Sequence, residues 1–251
     1  MKLENVIAKR PHKTIYQDGD LVIKVFDQNY PKSDVLNEAL NQARVEETGL
    51  NIPKIEGVIR TDDGNWGIEI DYIKGKTLEQ LMAENPDKMD EYLDQFVDIQ
   101  LEIHSKSSPL LNQLKEKLDG RIMKLNGKLN ATIRYELRTR LGGMPTHAKV
   151  LHGDFNPSNI VIGDDGKVYI LDWAHATQGN ASADAATTYL LLMLKDEKLA
   201  EKYLKLFCEK TDTAKQYVQR WLPIIAASRM MKQIPEEEEL LMKWLDVVDY
   251  E

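Results

Sequence analysis

The sequence predicts an α+β fold, in which a small antiparallel sheet with one main helix comes first and a larger, mainly helical part follows. Alternating apolar residues bounded by turn residues dominate about the first 70 positions. After Gly75, apolar residues recur mostly at helical spacing. A short strand–turn–strand stretch near residues 150–172 interrupts the helices. We therefore expect two lobes, residues 1–73 and residues 74–251.

The N-terminal part shows four strand regions and one helix. The turn residues 17–20 join two apolar stretches into a predicted hairpin, and residues 62–65 join a second one. The predicted strands are Thr14–Tyr16, Leu21–Phe26, Ile52–Ile59 and Trp66–Ile73. A helix is predicted from about Ser33 to Glu47, because Ser33 or Asp34 can cap its start and Gly49 can end it.

The C-terminal part is predicted to be mostly helical. Thr77 and Gln80 have the spacing of a capping box, which marks the start of a helix. Apolar residues from Met89 to Ile103 recur on one helical face. Further helices are predicted at about residues 109–126, 129–141, 182–195, 197–210, 213–231 and 236–248 from the same spacing.

Composition argues against several classes of partner. The net charge of −8 gives no general attraction to nucleic acid or to anionic membranes. No apolar run approaches the ~20 residues of a membrane span. The one cysteine, Cys208, cannot form an intramolecular disulfide. We expect a cytoplasmic protein that binds neither nucleic acid nor membrane and has no obligate protein partner.

Residues 151–173 contain the most specific pattern in the chain. His152-Gly153-Asp154 is followed by Asn159, and Asp172 comes thirteen positions after Asn159. A carboxylate can orient a hydroxyl nucleophile, while an amide and a second carboxylate can hold magnesium against phosphates. A hairpin through residues 163–166 would bring Asp172 back near Asn159. The alternative is that Asp154 and Asn159 only cap turns.

This pattern, with Leu171-Asp172-Trp173, resembles the catalytic and metal-binding loops of the aminoglycoside phosphotransferase and choline kinase superfamily. The resemblance implies a two-lobed protein-kinase-like fold that uses ATP and Mg²⁺. It implies that Asp154 is the catalytic base and that Asn159 and Asp172 hold magnesium. His152 is then a supporting residue, and Asp184 braces the catalytic loop.

The same resemblance implies a lysine on the third strand and a helix glutamate that holds it. Lys24 and Glu38 fit these two places, and Glu46 and Glu47 are weaker partners. The alternative is that Lys24 extends to solvent from a strand edge and that Glu38 lies on an exposed helix face.

The segment Asp71-Tyr72-Ile73-Lys74-Gly75 resembles the hinge between the lobes. The resemblance implies that backbone groups of Asp71 and Ile73 pair with the adenine and that Ile70 is the gatekeeper. The alternative is an ordinary strand end. The phosphate-covering loop should fall near residues 8–14. This segment contains no glycine, although glycines let backbone amides approach phosphates. Lys9, Arg10, Lys13 or the Thr14 hydroxyl would act instead, and GTP is the alternative donor to ATP.

The acceptor is expected to be a small-molecule hydroxyl, because the segment after Asp172 is too short to carry a peptide. Residues 105–150 hold ten basic and three acidic residues, a charge of +7, which is typical of a solvated face but otherwise favours a neutral or anionic acceptor. The acids Glu236–Glu239, with Asp246, Asp249 and Glu251, either start a helix or favour a cationic acceptor. A non-catalytic pseudokinase and a protein kinase are the alternatives to a small-molecule kinase.

Overall fold

The computed structural model describes residues 3–245, which form two compact units. Within that range, unit 1 comprises residues 3–89 and 157–176, and unit 2 comprises residues 90–156 and 177–245. The strands are β1 (Val6–Arg10), β2 (Lys13–Asp18), β3 (Leu21–Phe26), β4 (Ile55–Arg60), β5 (Trp66–Asp71), β6 (Gly75–Thr77), β7 (Lys149–Leu151), β8 (Ile160–Gly163), β9 (Val168–Ile170) and β10 (Thr177–Gly179). The helices are α1 (Lys32–Glu46), α2 (Leu78–Glu84), α3 (Met89–Ser105), α4 (Leu114–Lys124), α5 (Ala131–Gly143), α6 (Ala181–Met193), α7 (Glu197–Thr211), α8 (Lys215–Gln219), α9 (Leu222–Met230) and α10 (Pro235–Leu245). The predicted α+β fold class is confirmed.

Unit 1 is built on a five-stranded antiparallel sheet with the strand order β1-β2-β3-β5-β4. Helix α1 packs against β4 and β5. The apolar cluster between them contains Phe26, Val35, Ala39, Ile68 and Ile70. Val22, Lys24 and Phe26 share one face of β3 because side chains alternate along a strand. Lys24 therefore lies on the face that is buried against the helix.

A second, three-stranded sheet in unit 1 has the order β6-β8-β9. Antiparallel pairing of β8 and β9 places Ile160 opposite Ile170. The amide of Leu171 donates to the carbonyl of Asn159 at 2.8 Å, so Asp172 follows directly on the paired residue. The predicted hairpin is therefore present. The predicted capping box is present as well, with reciprocal bonds between Thr77 and Gln80 at the start of α2.

Unit 2 is mainly helical, with a two-stranded sheet of β7 and β10. Aromatic side chains fill its centre, where the rings of Phe96 and Phe155 stack with centroids 4.5 Å apart and Tyr203 meets Phe96 edge-on. Trp221 and Phe207 are also fully or almost fully buried. Among the helices of residues 3–245, none is both long enough and apolar enough to cross a bilayer.

Two sequence predictions about helices need correction, and one strand was missed. Residues 213–231 form two helices, α8 and α9, because Pro223 stands in the first turn of α9 and cannot continue a preceding helix. Helix α4 begins at Leu114 and not near residue 109. Strand β1 was not predicted at all. The predicted end of the last helix at residues 246–248, and the acids Asp246, Asp249 and Glu251, lie outside the described residues.

Candidate active site

A buried ion cluster joins strand, helix and hairpin in unit 1. The ammonium of Lys24 on β3 donates to Glu38 Oε1 on α1 at 2.8 Å and lies 3.5 Å from Asp172 Oδ1. Lys24 and Glu38 are almost completely buried, whereas about a third of the Asp172 side chain is exposed. The structure thus brings together three residues that are far apart in sequence.

Electrostatics keep Lys24 charged in spite of its burial. Burial opposes the charge, but the carboxylates of Asp172 and Glu38 more than offset it, so the pKa of Lys24 lies above its usual value. A protonated ammonium is suited to binding phosphate oxygens.

A second lysine approaches the same carboxylates. Lys13, the first residue of β2, pairs with Phe26 across the sheet, and its ammonium lies 5.6 Å from the centre of that ring. Lys13 Nζ is 3.4 Å from Glu38 Oε1 and 4.0 Å from Asp172 Oδ1. The sequence placed Lys13 only among four residues near the glycine-free loop, and the structure distinguishes it by these contacts.

Helix α1 fixes more than Glu38. The amide of Asn41 donates to the carbonyls of Ala174 and Ala176 at 3.1 and 3.4 Å, which ties the segment after Asp172 to the helix. Glu46, one of the weaker partners considered for Lys24, instead accepts from the amide of Ile55 at 2.7 Å. Asn41 was not among the residues predicted from the sequence. The feature that could have identified it is an amide side chain at a buried position of the predicted helix.

Asn159 stands immediately before β8 and Asp172 follows β9, so both residues lie at the open end of the β8–β9 hairpin. Asp172 has φ of 61° and ψ of 65°, a left-handed conformation that costs a residue with a Cβ of order 1 kcal/mol or more. Strain of this kind is characteristic of functional positions. Within residues 3–245 no three His, Cys, Asp or Glu side chains form a metal-binding group. One carboxylate with an amide nonetheless fits magnesium, which uses one or two protein carboxylates plus substrate phosphates.

The predicted hinge residues lie where β5 ends. The amide of Asp71 donates to the carbonyl of Lys54 at 3.0 Å, and its carboxylate accepts from the amide of Lys54 at 2.9 Å. The amide of Tyr72 donates to Asp20, after which the chain leaves the sheet through the partly buried Ile73. The carboxylate of Asp71 therefore stiffens the strand end, while Ile73 follows beyond it.

Asp154 lies in unit 2, on a loop with a constrained backbone. Gly153 has φ of 77°, a conformation that residues with a Cβ rarely adopt, so the glycine of the motif has a direct structural reason. The amide of Asp154 donates to Nδ1 of the buried His152 at 3.2 Å. His152 thus acts on the backbone of Asp154.

Asp184 at the start of α6 binds the backbone of this loop. Its carboxylate accepts from the amides of Gly153 at 2.8 Å and His152 at 3.3 Å, and pairs with His104 Nε2 at 3.0 Å. Burial alone would raise the pKa of Asp184, but the bonds from His104 and Gly153 lower it below its usual value. Gln100 and Tyr203 extend this buried network. No pattern in the sequence identified His104 as the partner of Asp184.

Comparison with known proteins gives matches in family and in fold. The model of the phosphotransferase enzyme family matches residues 12–217. No curated protein sequence matches the chain. Aminoglycoside phosphotransferase APH(4)-Ia has a similar structure, with a TM-score of 0.69 and 13% identity over 97% of this chain and 90% of that one. Choline kinase LicA from Streptococcus pneumoniae has a TM-score of 0.65 and 14% identity over 98% and 91%. A mutant aminoglycoside 2′-phosphotransferase-IIIa has a TM-score of 0.61 and 19% identity over 97% and 92%.

At these low sequence identities, the structural matches show the fold alone, which is that of kinase-like phosphotransferases. Several of the solved relatives contain a nucleotide. One APH(4)-Ia structure is a ternary complex with AMP-PNP and hygromycin B, another holds ADP and hygromycin B, and one LicA structure holds AMP.

Proposed function

Because this chain belongs to the phosphotransferase enzyme family, we propose that it transfers the γ-phosphate of magnesium-bound ATP to a hydroxyl group of a small molecule. The observation that carries this proposal is the buried cluster of Lys24, Glu38 and Asp172 beside Asn159. These residues are the parts that phosphoryl transfer requires for positioning and charge neutralisation. The nucleotides in the solved relatives support the same donor class.

Each residue of the cluster has an assigned task. Lys24, held by Glu38, binds oxygens of the α- and β-phosphates, and its raised pKa keeps it charged over the physiological pH range. Asp172 and Asn159 would hold the magnesium ion. When bound, that ion supplies charge neutralisation at the β- and γ-phosphates. Backbone groups of Asp71 and Ile73 bind the adenine.

Asp154 is the catalytic base. Its carboxylate orients the acceptor hydroxyl and takes up the hydroxyl proton as the new oxygen–phosphorus bond forms. The bond between the γ-phosphorus and the bridging oxygen breaks, and ADP leaves. Asp184 and His152 position Asp154 through the loop backbone and do not touch the reacting atoms. We further propose that residues 1–73 form the nucleotide-binding lobe and residues 74–251 the catalytic and acceptor-binding lobe.

A small acceptor is favoured over a polypeptide. Helix α6 begins at Ala181, nine positions after Asp172, which leaves a short connection and no room in sequence for a peptide platform. The relatives whose structures hold hygromycin B likewise bind a small molecule.

The proposal is tested by ADP release in a screen of amino sugars, sugars, choline-like alcohols and aminoglycosides, with phosphorus NMR of the product. The wild type is expected to phosphorylate at least one class. Calorimetry of Mg·ATP with Asp172→Ala is expected to show that binding is lost, because this variant lacks the only carboxylate assigned to the ion. Unchanged Mg·ATP affinity in Asp172→Ala refutes the assigned site, and absence of any transfer by the wild type favours a pseudokinase.

A further inference from the structure

Unit 2 carries a group of cationic side chains that the proposed mechanism does not use. Lys117 and Arg121 are four residues apart on α4 and therefore share one face of that helix. Helix α4 packs against α9, where Arg121 Nη1 donates to the Ser228 hydroxyl at 2.9 Å. Lys232 comes just after α9, in a turn closed by its amide bond to the Arg229 carbonyl at 2.8 Å. We call Lys117, Arg121 and Lys232 the basic cluster.

The basic cluster lies within electrostatic range of Asp154. Burial, followed by repulsion from Arg121 and Lys232, lowers the pKa of Lys117 to about 7, although Asp154 and Asp184 act in the opposite direction. Burial also lowers the pKa of Lys232, with Asp154 again opposing the change. The mutual repulsion of the cations thus exceeds the attraction that Lys117 receives from the two carboxylates.

Like charges at this helical spacing destabilise a helix even when they are exposed. Lys117 and Arg121 are partly buried, and this increases their repulsion because the local dielectric constant is lower. An anion that enters among the three side chains converts this repulsion into attraction. The arrangement is therefore that of an anion site, within electrostatic range of the carboxylate assigned as the base.

Two of the acidic residues that suggested a cationic acceptor form ion pairs with nearby basic residues. Glu237 forms a two-pronged ion pair with Arg229, with both contacts at 2.6 Å. Glu239 pairs with Lys243 at 3.1 Å along α10. Because these carboxylates join α9 to α10 or lie along the outside of α10, they provide no acidic pocket for a polycation.

From this geometry we infer that the basic cluster binds the anionic group of the acceptor, so that the acceptor is a hydroxylated carboxylic acid or phosphate ester. This inference rests on the proposed function, since it takes Asp154 as the base for the acceptor hydroxyl. The transferred group, the leaving ADP and the proton accepted by Asp154 are those of the proposed reaction. The cluster adds only recognition of the second functional group.

The test compares acceptors that differ in one group. Glycerol and glycerate, glucose and glucuronate, and glucose and glucose 6-phosphate form such pairs, and kanamycin represents a polycation. We expect kcat/KM to be at least about tenfold higher for the acid of a pair, which corresponds to about 1.4 kcal/mol. Calorimetry with the protein saturated with ADP measures binding of the same acids without turnover.

Two variants and one control assign the effect to the cluster. Lys117→Met and Lys232→Met keep the length of the side chain and remove its charge, and each should lower the acid-to-neutral ratio of kcat/KM about tenfold. Lys205→Met changes an exposed lysine on α7 and should leave the ratio as in the wild type. The Mg·ATP dissociation constant of every variant is measured alongside.

The inference is overturned if neutral alcohols or kanamycin are preferred, if no acid binds at millimolar concentration, or if the ratio persists in both cluster variants. It is also overturned if Lys117→Met weakens Mg·ATP binding without changing acid binding, because the cluster then serves the nucleotide. Failure of the proposed function has a different signature, which is a wild type that neither binds Mg·ATP nor transfers phosphate to any acceptor.

Discussion

Replacing Asp184 with alanine removes a buried carboxylate that accepts from several donors at once. Asp184 is 2% exposed, and its bonds to Gly153, His104 and His152 measure 2.8, 3.0 and 3.3 Å. Each buried donor left without an acceptor costs about 1–3 kcal/mol. These donors share one cavity that can relax as a unit, so their costs do not add fully. We expect the free energy of unfolding to fall by about 3–5 kcal/mol, as for a broken buried charge pair.

The assay is urea denaturation followed by circular dichroism and tryptophan fluorescence. Asp196→Ala is the matched control, because Asp196 also accepts from two backbone amides, of Lys198 and Leu199, but does so at the exposed start of α7. Loss of such a cap costs about 0.5–2 kcal/mol. If the free energy of unfolding of Asp184→Ala lies within 1 kcal/mol of the wild-type value, Asp184 does not satisfy several buried donors, since a typical single hydrogen bond contributes ~1 kcal/mol. The same conclusion follows if Asp184→Ala is destabilised no more than the control.

The same carboxylate sets a pH dependence. The pKa of Asp184 in the folded protein lies below its ordinary value of 3.8. The stabilisation is therefore complete well above pH 3.8 and is lost as the pH falls below that value and the folded carboxylate takes up its proton. In Asp184→Ala, the part of the acid destabilisation that comes from this group should disappear.

Three further predictions concern the two charged clusters. Glu38→Gln should weaken Mg·ATP binding about tenfold in calorimetry, because Lys24 loses its charged partner, and unchanged affinity speaks against the pair. Lys13→Met should also weaken Mg·ATP binding about tenfold if this lysine replaces the missing loop glycines, whereas Lys9→Met, at an exposed position of β1, should not. Binding of an acidic acceptor at pH 7 should take up about half a proton, because the pKa of Lys117 is about 7 and a bound anion raises it. Calorimetry in buffers of different ionisation enthalpy measures this proton uptake. The variant Lys117→Met should abolish it.

Features that depend on neighbouring residues could be predicted from the sequence. The Thr77–Gln80 capping box and the hairpin that returns Asp172 towards Asn159 each follow from a few adjacent side chains. Strand β1 escaped prediction because only Ala8 of its five residues is even partly buried, so no apolar alternation marks it. The break between α8 and α9 depended on a proline that the helical spacing of the apolar residues concealed.

Contacts between distant residues could be predicted only as far as the family resemblance reached. It supplied Lys24, Glu38, Asp172 and Asp184 as positions, but no pattern within the chain identifies which of several basic residues near the first turn approaches Asp172. Lys13 does so because β2 and β3 pair in a particular register. The pairing of His104 with a carboxylate eighty residues away is likewise a product of helix packing.

The single-turnover rate of phosphate transfer in Asp154→Asn tests whether Asp154 acts as the base. The rate is measured with the best acceptor from the screen. The substitution keeps the size of the side chain and removes its ability to take up a proton. Asp164→Asn, an exposed aspartate next to Lys74, is the control. We predict that Asp154→Asn binds Mg·ATP like the wild type and transfers phosphate about 10²–10⁴-fold more slowly, while the control is unaffected. Transfer at the wild-type rate in Asp154→Asn would show that Asp154 is not the catalytic base.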